Sequence, residues 1–104
     1  MKNISTFLLK LRNDVFKLLP MRESADAGSE NHIRDYIYSL IINSEGAVAT
    51  YNVLEKQKNY IYVINNLHYL ESHLDIEFSN WRKIVLNCTR SLDDLKNSYC
   101  ESEG

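Results

Sequence analysis

The chain has 104 residues, one proline, three glycines and two cysteines, and a formal net charge of −2. This length supports one hydrophobic core rather than two. So little turn chemistry excludes an all-β fold, which needs a turn roughly every 8–12 residues, and near-neutral charge argues against wholesale coating of nucleic acid.

The first predicted helix covers residues 3–19. Ile4, Phe7, Leu8, Leu11, Val15, Leu18 and Leu19 recur at helical spacing and leave Lys2, Lys10, Asn13 and Lys17 on the opposite face. Pro20 is expected to end it, since its ring and missing N–H cannot continue the hydrogen-bond ladder. This segment is also the basic part of the chain. Residues 1–22 hold five basic side chains against Asp14, a net of +4, while residues 23–104 hold seven basic and thirteen acidic, a net of −6. A basic amphipathic helix on an acidic body points to an anionic partner or to head-to-tail self-association.

Residues 23–29, small and polar, read as the linker. A second helix is predicted over 30–44, capped by Ser29 or Asn31, with Ile33, Tyr36, Ile37, Leu40, Ile41 and Ser44 inward. Gly46 fits a helix stop and places a hairpin at Ser44–Ala47; the apolar pattern also admits continuation through Val48 to Tyr51. The third helix is predicted over 48–74, lined by Ala49, Val53, Tyr60, Val63, Ile64, Leu67, Leu70 and Leu74. Ile61, Tyr62 and Tyr69 widen its apolar stripe, as in a helix contacted on more than one side. Asp75 or Ser79 is expected to cap a fourth helix over 77–98, where Trp81, Ile84, Val85, Cys88, Leu92, Leu95 and Tyr99 form a seam spaced by threes and fours.

These elements predict an all-α, antiparallel up-down-up-down four-helix bundle: a single domain over residues 1–99, with a frayed polar tail at 100–104. Phe7-Leu8-Leu9 is cut by Lys10 and Arg12 and is too short for a signal core. No stretch reaches the ~18 apolar residues of a membrane span. The chain reads as soluble and cytoplasmic, with no membrane partner and with Cys88 and Cys100 reduced.

Catalytic chemistry finds no foothold. His32, His68 and His73 lack zinc-site spacing, and no Glu-x-x-His pair exists for a bundle-core di-iron site. Cys88 has Asn87 and Thr89 beside it rather than an activating base. Asp93 and Asp94 are adjacent, which suits hydrated surface charges, and there is no glycine-rich phosphate loop. The expectation is therefore a non-enzymatic protein without metal or cofactor.

Surface recognition is the better prospect. Tyr62 and Tyr69 fall on one stripe of the third helix with Lys58, Asn65 and Asn66 beside them. Such rings stack on bases or anchor a second subunit; the subunit interface is the more common use, and it predicts a homo-oligomer. Tyr38, Ile42 and Leu86 also point away from the expected core. Lys10 and Lys17 on the first helix, with Lys83 and Arg90 on the fourth, are expected to form one strip for a phosphate backbone, RNA or DNA.

The order FLLKLRNDVFKLLP, HIRDYIYSLIINSEG, LEKQKNYIYVINNLHYLESHL and SNWRKIVLNCTRSLDDL, spanning about residues 6–98, resembles a small four-helix-bundle family. That family comprises the accessory variability determinant (Avd) of diversity-generating retroelements and proteins encoded in ribosomal-RNA intervening sequences. The resemblance implies a ring-shaped homo-oligomer, often a pentamer, that binds a reverse transcriptase and nucleic acid through basic surfaces. A protein-only interaction module, such as a phage or mobile-element regulator, chaperone or immunity-type factor, is the alternative that the acidic remainder favours.

Overall fold

The computed structural model describes residues 4–24 and 30–103, with 100–103 described by backbone alone. Lys2, Ser29 and the side chain of Cys100 therefore lie outside the described parts. Among the described residues the protein is all-α, without a strand. These residues form five α-helices, α1 (Ile4–Phe16), α2 (Leu18–Glu23), α3 (Glu30–Thr50), α4 (Lys58–Ser72) and α5 (Phe78–Glu103), and a 3-10 helix, Asn52–Lys56, between α3 and α4. No described helix is long and apolar enough to cross a membrane.

Pro20 acts one turn earlier than its position suggests. Its ring opposes the carbonyl of Phe16, four residues back, and it has no N–H to offer that carbonyl. The ladder breaks at Lys17, and α2 begins directly after it. The proline sits within the first turn of α2, where a free N–H would lack a partner anyway. Chain direction is kept by Lys17 N–H donating to Asn13 O and Met21 N–H donating to Lys17 O, both at 3.2 Å. Pro20 thus kinks the basic segment rather than ending it, and the helical path continues through Glu23 into the expected linker.

Gly46 does not stop a helix either. It lies inside α3, with no positive φ, and the buried series Ile33, Ile37, Leu40, Ile41 and Ser44 runs on to half-buried Val48. Apolar periodicity outweighs a glycine penalty of about 1 kcal/mol. The hairpin expected at Ser44–Ala47 falls instead at Tyr51–Gln57. Tyr51 N–H closes the last turn of α3 on Ala47 O at 2.7 Å, and Leu54 N–H returns to Tyr51 O at 3.0 Å. The tighter 3-10 winding turns Leu54 fully inward and leaves Val53, expected in the core, 53% exposed. Ala49, also expected inside, is exposed.

α5 opens on the carbonyl of Glu77, which accepts from Asn80 and Trp81 N–H at 3.1 and 3.0 Å. Neither Asp75 nor Ser79 caps it; the Ser79 hydroxyl donates to the Glu77 carboxylate instead. The helix persists to Glu103, so the backbone of 100–103, expected to fray, is helical.

One hydrophobic cluster joins all these helices, with Trp81, Tyr60, Leu8, Leu18, Ile37 and Leu92 among its fully buried members. Each such side chain contributes about 1.5–3 kcal/mol by leaving water. α1 packs most extensively on α5, α5 also packs along α4, and α4 along α3, whereas α1 and α3 touch only thinly. Polar ties cross these seams. The Tyr36 hydroxyl donates to Asp14 O at 2.7 Å, and the buried Tyr60 hydroxyl donates to Ser44 O. Arg22 lies over Trp81, 5.0 Å from the ring centroid, and donates to Ile76 O, which fastens α2 onto the start of α5.

Candidate functional site

The cations of α1 are not free charges. Asp14, one turn from each, pairs with Lys10 at 2.8 Å and with Lys17 at 3.5 Å. Two ammonium groups and one carboxylate leave a net of +1 there, and both lysines remain well exposed, so the pairs are weakly held in water. Lys10 and Asp14 border an open groove of about 490 Å³ between α1 and α3, floored by Leu11, Leu40, Gly46 and Ala47. The opposite flank of α1 meets α5: Arg12 Nε donates to Asp93 at 3.3 Å, and its guanidinium lies 5.5 Å over the Phe16 ring.

The cations expected to form a single strip lie on α1 (Lys10), at the α1–α2 junction (Lys17) and on α5 (Lys83 and Arg90). Lys10 borders the groove between α1 and α3, whereas Arg12 faces the seam with Asp93. Lys83 and Arg90 are exposed on the flank of α5 opposite its buried Trp81, Val85, Cys88 and Leu92.

Tyr62 and Tyr69 are 41% and 42% exposed on α4. His68, next to Tyr69, reaches Glu45 of α3 at 3.2 Å, so the tyrosines occupy the flank turned from α3. The Tyr69 ring stacks on His73 with centroids 4.0 Å apart and planes at 12°. A carbonyl oxygen can only accept, so His73 Nδ1, 2.9 Å from Tyr69 O, carries the proton and holds this stack in place. Asn66 Nδ2 donates to Tyr62 O at 2.8 Å, whereas Lys58 and Asn65 are exposed beside the rings. Sequence reasoning found the two tyrosines but missed His73. Its spacing of four residues from Tyr69 was the available signal. Tyr38 and Ile42 of α3 are exposed, and Leu86 of α5 is half-buried.

Burial raises three titratable groups of the fold. Burial pushes the Cys88 thiol up to about 12, so it carries almost no thiolate near neutral pH. Burial likewise raises Tyr60 to about 12, against the bond to Ser44, which lowers it. Tyr36 is raised by burial first and by the nearby Asp14 charge second. Among the described residues, no three His, Cys, Asp or Glu side chains converge as metal ligands would. No family, curated protein or solved structure matches the chain.

Proposed function

We propose that this protein is a non-enzymatic, oligomeric accessory module that binds single-stranded nucleic acid, alone or on an enzyme such as a reverse transcriptase, in the cytoplasm. In this reading the helices form an antiparallel up-down-up-down bundle, with α1 and α2 as its bent first member. The Arg12–Asp93 and Arg22–Trp81 ties support it: later positions on the first member meet earlier positions on α5.

The observation that carries the proposal is the exposure of Tyr62 and Tyr69 on α4 and of Lys83 and Arg90 on α5. These helices pack along each other and are joined by residues 73–77. As an antiparallel hairpin, each step down α4 matches a step up α5. Tyr62 is then level with Arg90, Asn65 with Asn87, and Tyr69 with Lys83. In that register two aromatic rings would stand level with two cations, with amides between. Bases stack on the rings, each stack worth about 1–3 kcal/mol, while the cations follow the phosphates. Lys10 and Lys17, partly neutralised by Asp14, add a second and weaker electrostatic contact. The helix pattern shared with the Avd family points the same way.

The reading is tested by anisotropy of a labelled pyrimidine strand of about 16 nucleotides at low salt, near the largest site size of one small fold. Tyr62→Ala with Tyr69→Ala, and separately Lys83→Glu with Arg90→Glu, should each weaken binding at least about tenfold while helicity is kept. Lys10→Glu with Lys17→Glu should cost less. Absence of wild-type binding at low salt overturns the proposal. It would leave the protein-only module, in which Tyr62 and Tyr69 bury against a second subunit, a reading favoured by exposed Leu9, Phe16 and Ile61 on other faces.

A further inference from the structure

The groove between α1 and α3 is bounded at both ends. At one, the Tyr36 hydroxyl of α3 donates to Asp14 O of α1 at 2.7 Å. At the other, the rings of Phe7 and Tyr51 stack with centroids 5.4 Å apart. The α1 wall runs between these ties, from Phe7 to Asp14, about 10 Å of helix. A volume of about 490 Å³ is that of a small-molecule site. A partner helix of three turns, about 16 Å long, would run into both ties.

Gly46 keeps the groove open. Its φ is ordinary, and a Cβ built there meets nothing within 4 Å. Neither turn geometry nor packing within the chain calls for a glycine there, although alanine would favour the helix by about 1 kcal/mol. The lip is electrostatically one-sided. The Asp14 side chain is 20% exposed, whereas Lys10 and Lys17, which share it, are 75% and 65% exposed. A ligand therefore meets ammonium before carboxylate. Asn43 and Thr50 stand on the α3 wall with side chains that no described residue engages.

We infer that this groove binds a small aromatic anion of the aryl carboxylate class. Its flat body lies on Leu11, Leu40 and Ala47, and the Phe7–Tyr51 ring pair at one end offers an aromatic edge or face to pack against. Its carboxylate accepts from the Lys10 ammonium at the lip, with the Asn43 amide as a second donor. The site is separate from the Tyr62 and Tyr69 face and does not depend on nucleic-acid binding.

The probe is naphthoate, titrated to about 5 mM, above the ~1 mM Kd of weak ligands, into the full chain without nucleic acid and followed by amide NMR. Shifts should saturate and include Gly46 and Ala47. Naphthylmethanol, uncharged, and naphthylmethylamine, cationic, should each bind about two- to fivefold more weakly, the worth of an exposed ion pair. Lys10→Met should weaken naphthoate by the same factor and leave naphthylmethanol unchanged. Gly46→Leu, whose side chain has room in the free protein, should abolish binding of both with circular dichroism unchanged. Absence of saturable shifts overturns the inference. So does naphthoate binding that survives Gly46→Leu, or binding of the alcohol or the amine as tight as that of naphthoate.

Discussion

The hydroxyl of Tyr60, at the start of α4, donates to the main-chain carbonyl of Ser44 in α3, and both residues are buried. This bond spans the hairpin that the 3-10 helix turns, so it locks the register of α3 on α4. Tyr60→Phe removes one buried hydrogen bond and little volume. It should cost about 1 kcal/mol, lowering Tm by about 4–8 °C in thermal circular dichroism.

The same phenol and the Cys88 thiol make the fold sensitive to alkali. Both groups titrate higher in the folded state, near 12, than their ordinary values of 10.0 and 9.0. Each is neutral below its pKa, so the unfolded chain loses these protons first. Their contribution is complete below about pH 9 and is lost as pH rises towards 12. Denaturant midpoints should therefore fall between pH 9 and 12, and Tyr60→Phe should flatten that slope. Cys88 should resist thiol reagents until denaturant is added.

Gly46→Ala tests whether α3 passes through that position as a regular helix. The substitution should raise stability by about 0.5–1 kcal/mol. A hairpin at Ser44–Ala47 would instead make it destabilising.

Arg22 should not tolerate lysine. Its guanidinium lies over Trp81 and Phe78 and donates to Ile76 O, combining a flat stacking surface with a directed N–H. Arg22→Ala and Arg22→Lys should both destabilise the fold, by about 1–2 kcal/mol for the loss of a charge-assisted bond and a partly desolvated cation–π contact. Rescue by lysine would show that charge alone mattered.

Salt should separate the two cation pairs. If strands bind along α4 and α5, Lys83→Glu with Arg90→Glu should flatten the dependence of affinity on salt by at least about 1.4, near 0.7 for each lost phosphate contact. Lys10→Glu with Lys17→Glu should change that slope less.

The helices were legible because burial imposes a period. The stripes through Leu8 and Leu11, Ile37 and Ile41, Val63 and Leu67, and Val85 and Leu92 are continuous and unambiguous. The punctuation was less so. Pro20 and Gly46 carry strong local preferences, but a proline strains the carbonyl four residues before it, and an exposed glycine yields to the packing of its neighbours. Val53 and Leu54 are adjacent and equally apolar, so only the 3-10 geometry decides which one enters the core. At the candidate site, helical spacing sufficed to put Tyr62 and Tyr69 outside. The pairing of Lys10 and Lys17 with Asp14 follows from spacings of four and three residues within one helical segment, but which neighbour that face of α1 meets depends on where α3 and α5 dock. No single-helix pattern encodes that.

The closest partner of α1 is α5, and the Arg12–Asp93 tie joins positions 81 residues apart in the chain. During synthesis, α1 would therefore emerge long before the surface that shields Leu8, Leu11 and Val15 has been translated. The α3–α4 hairpin, whose contacts are local, is free to form first. α1 must wait with its apolar stripe uncovered, a state prone to aggregation or to capture by a chaperone. Docking of α5 is the step that covers this stripe.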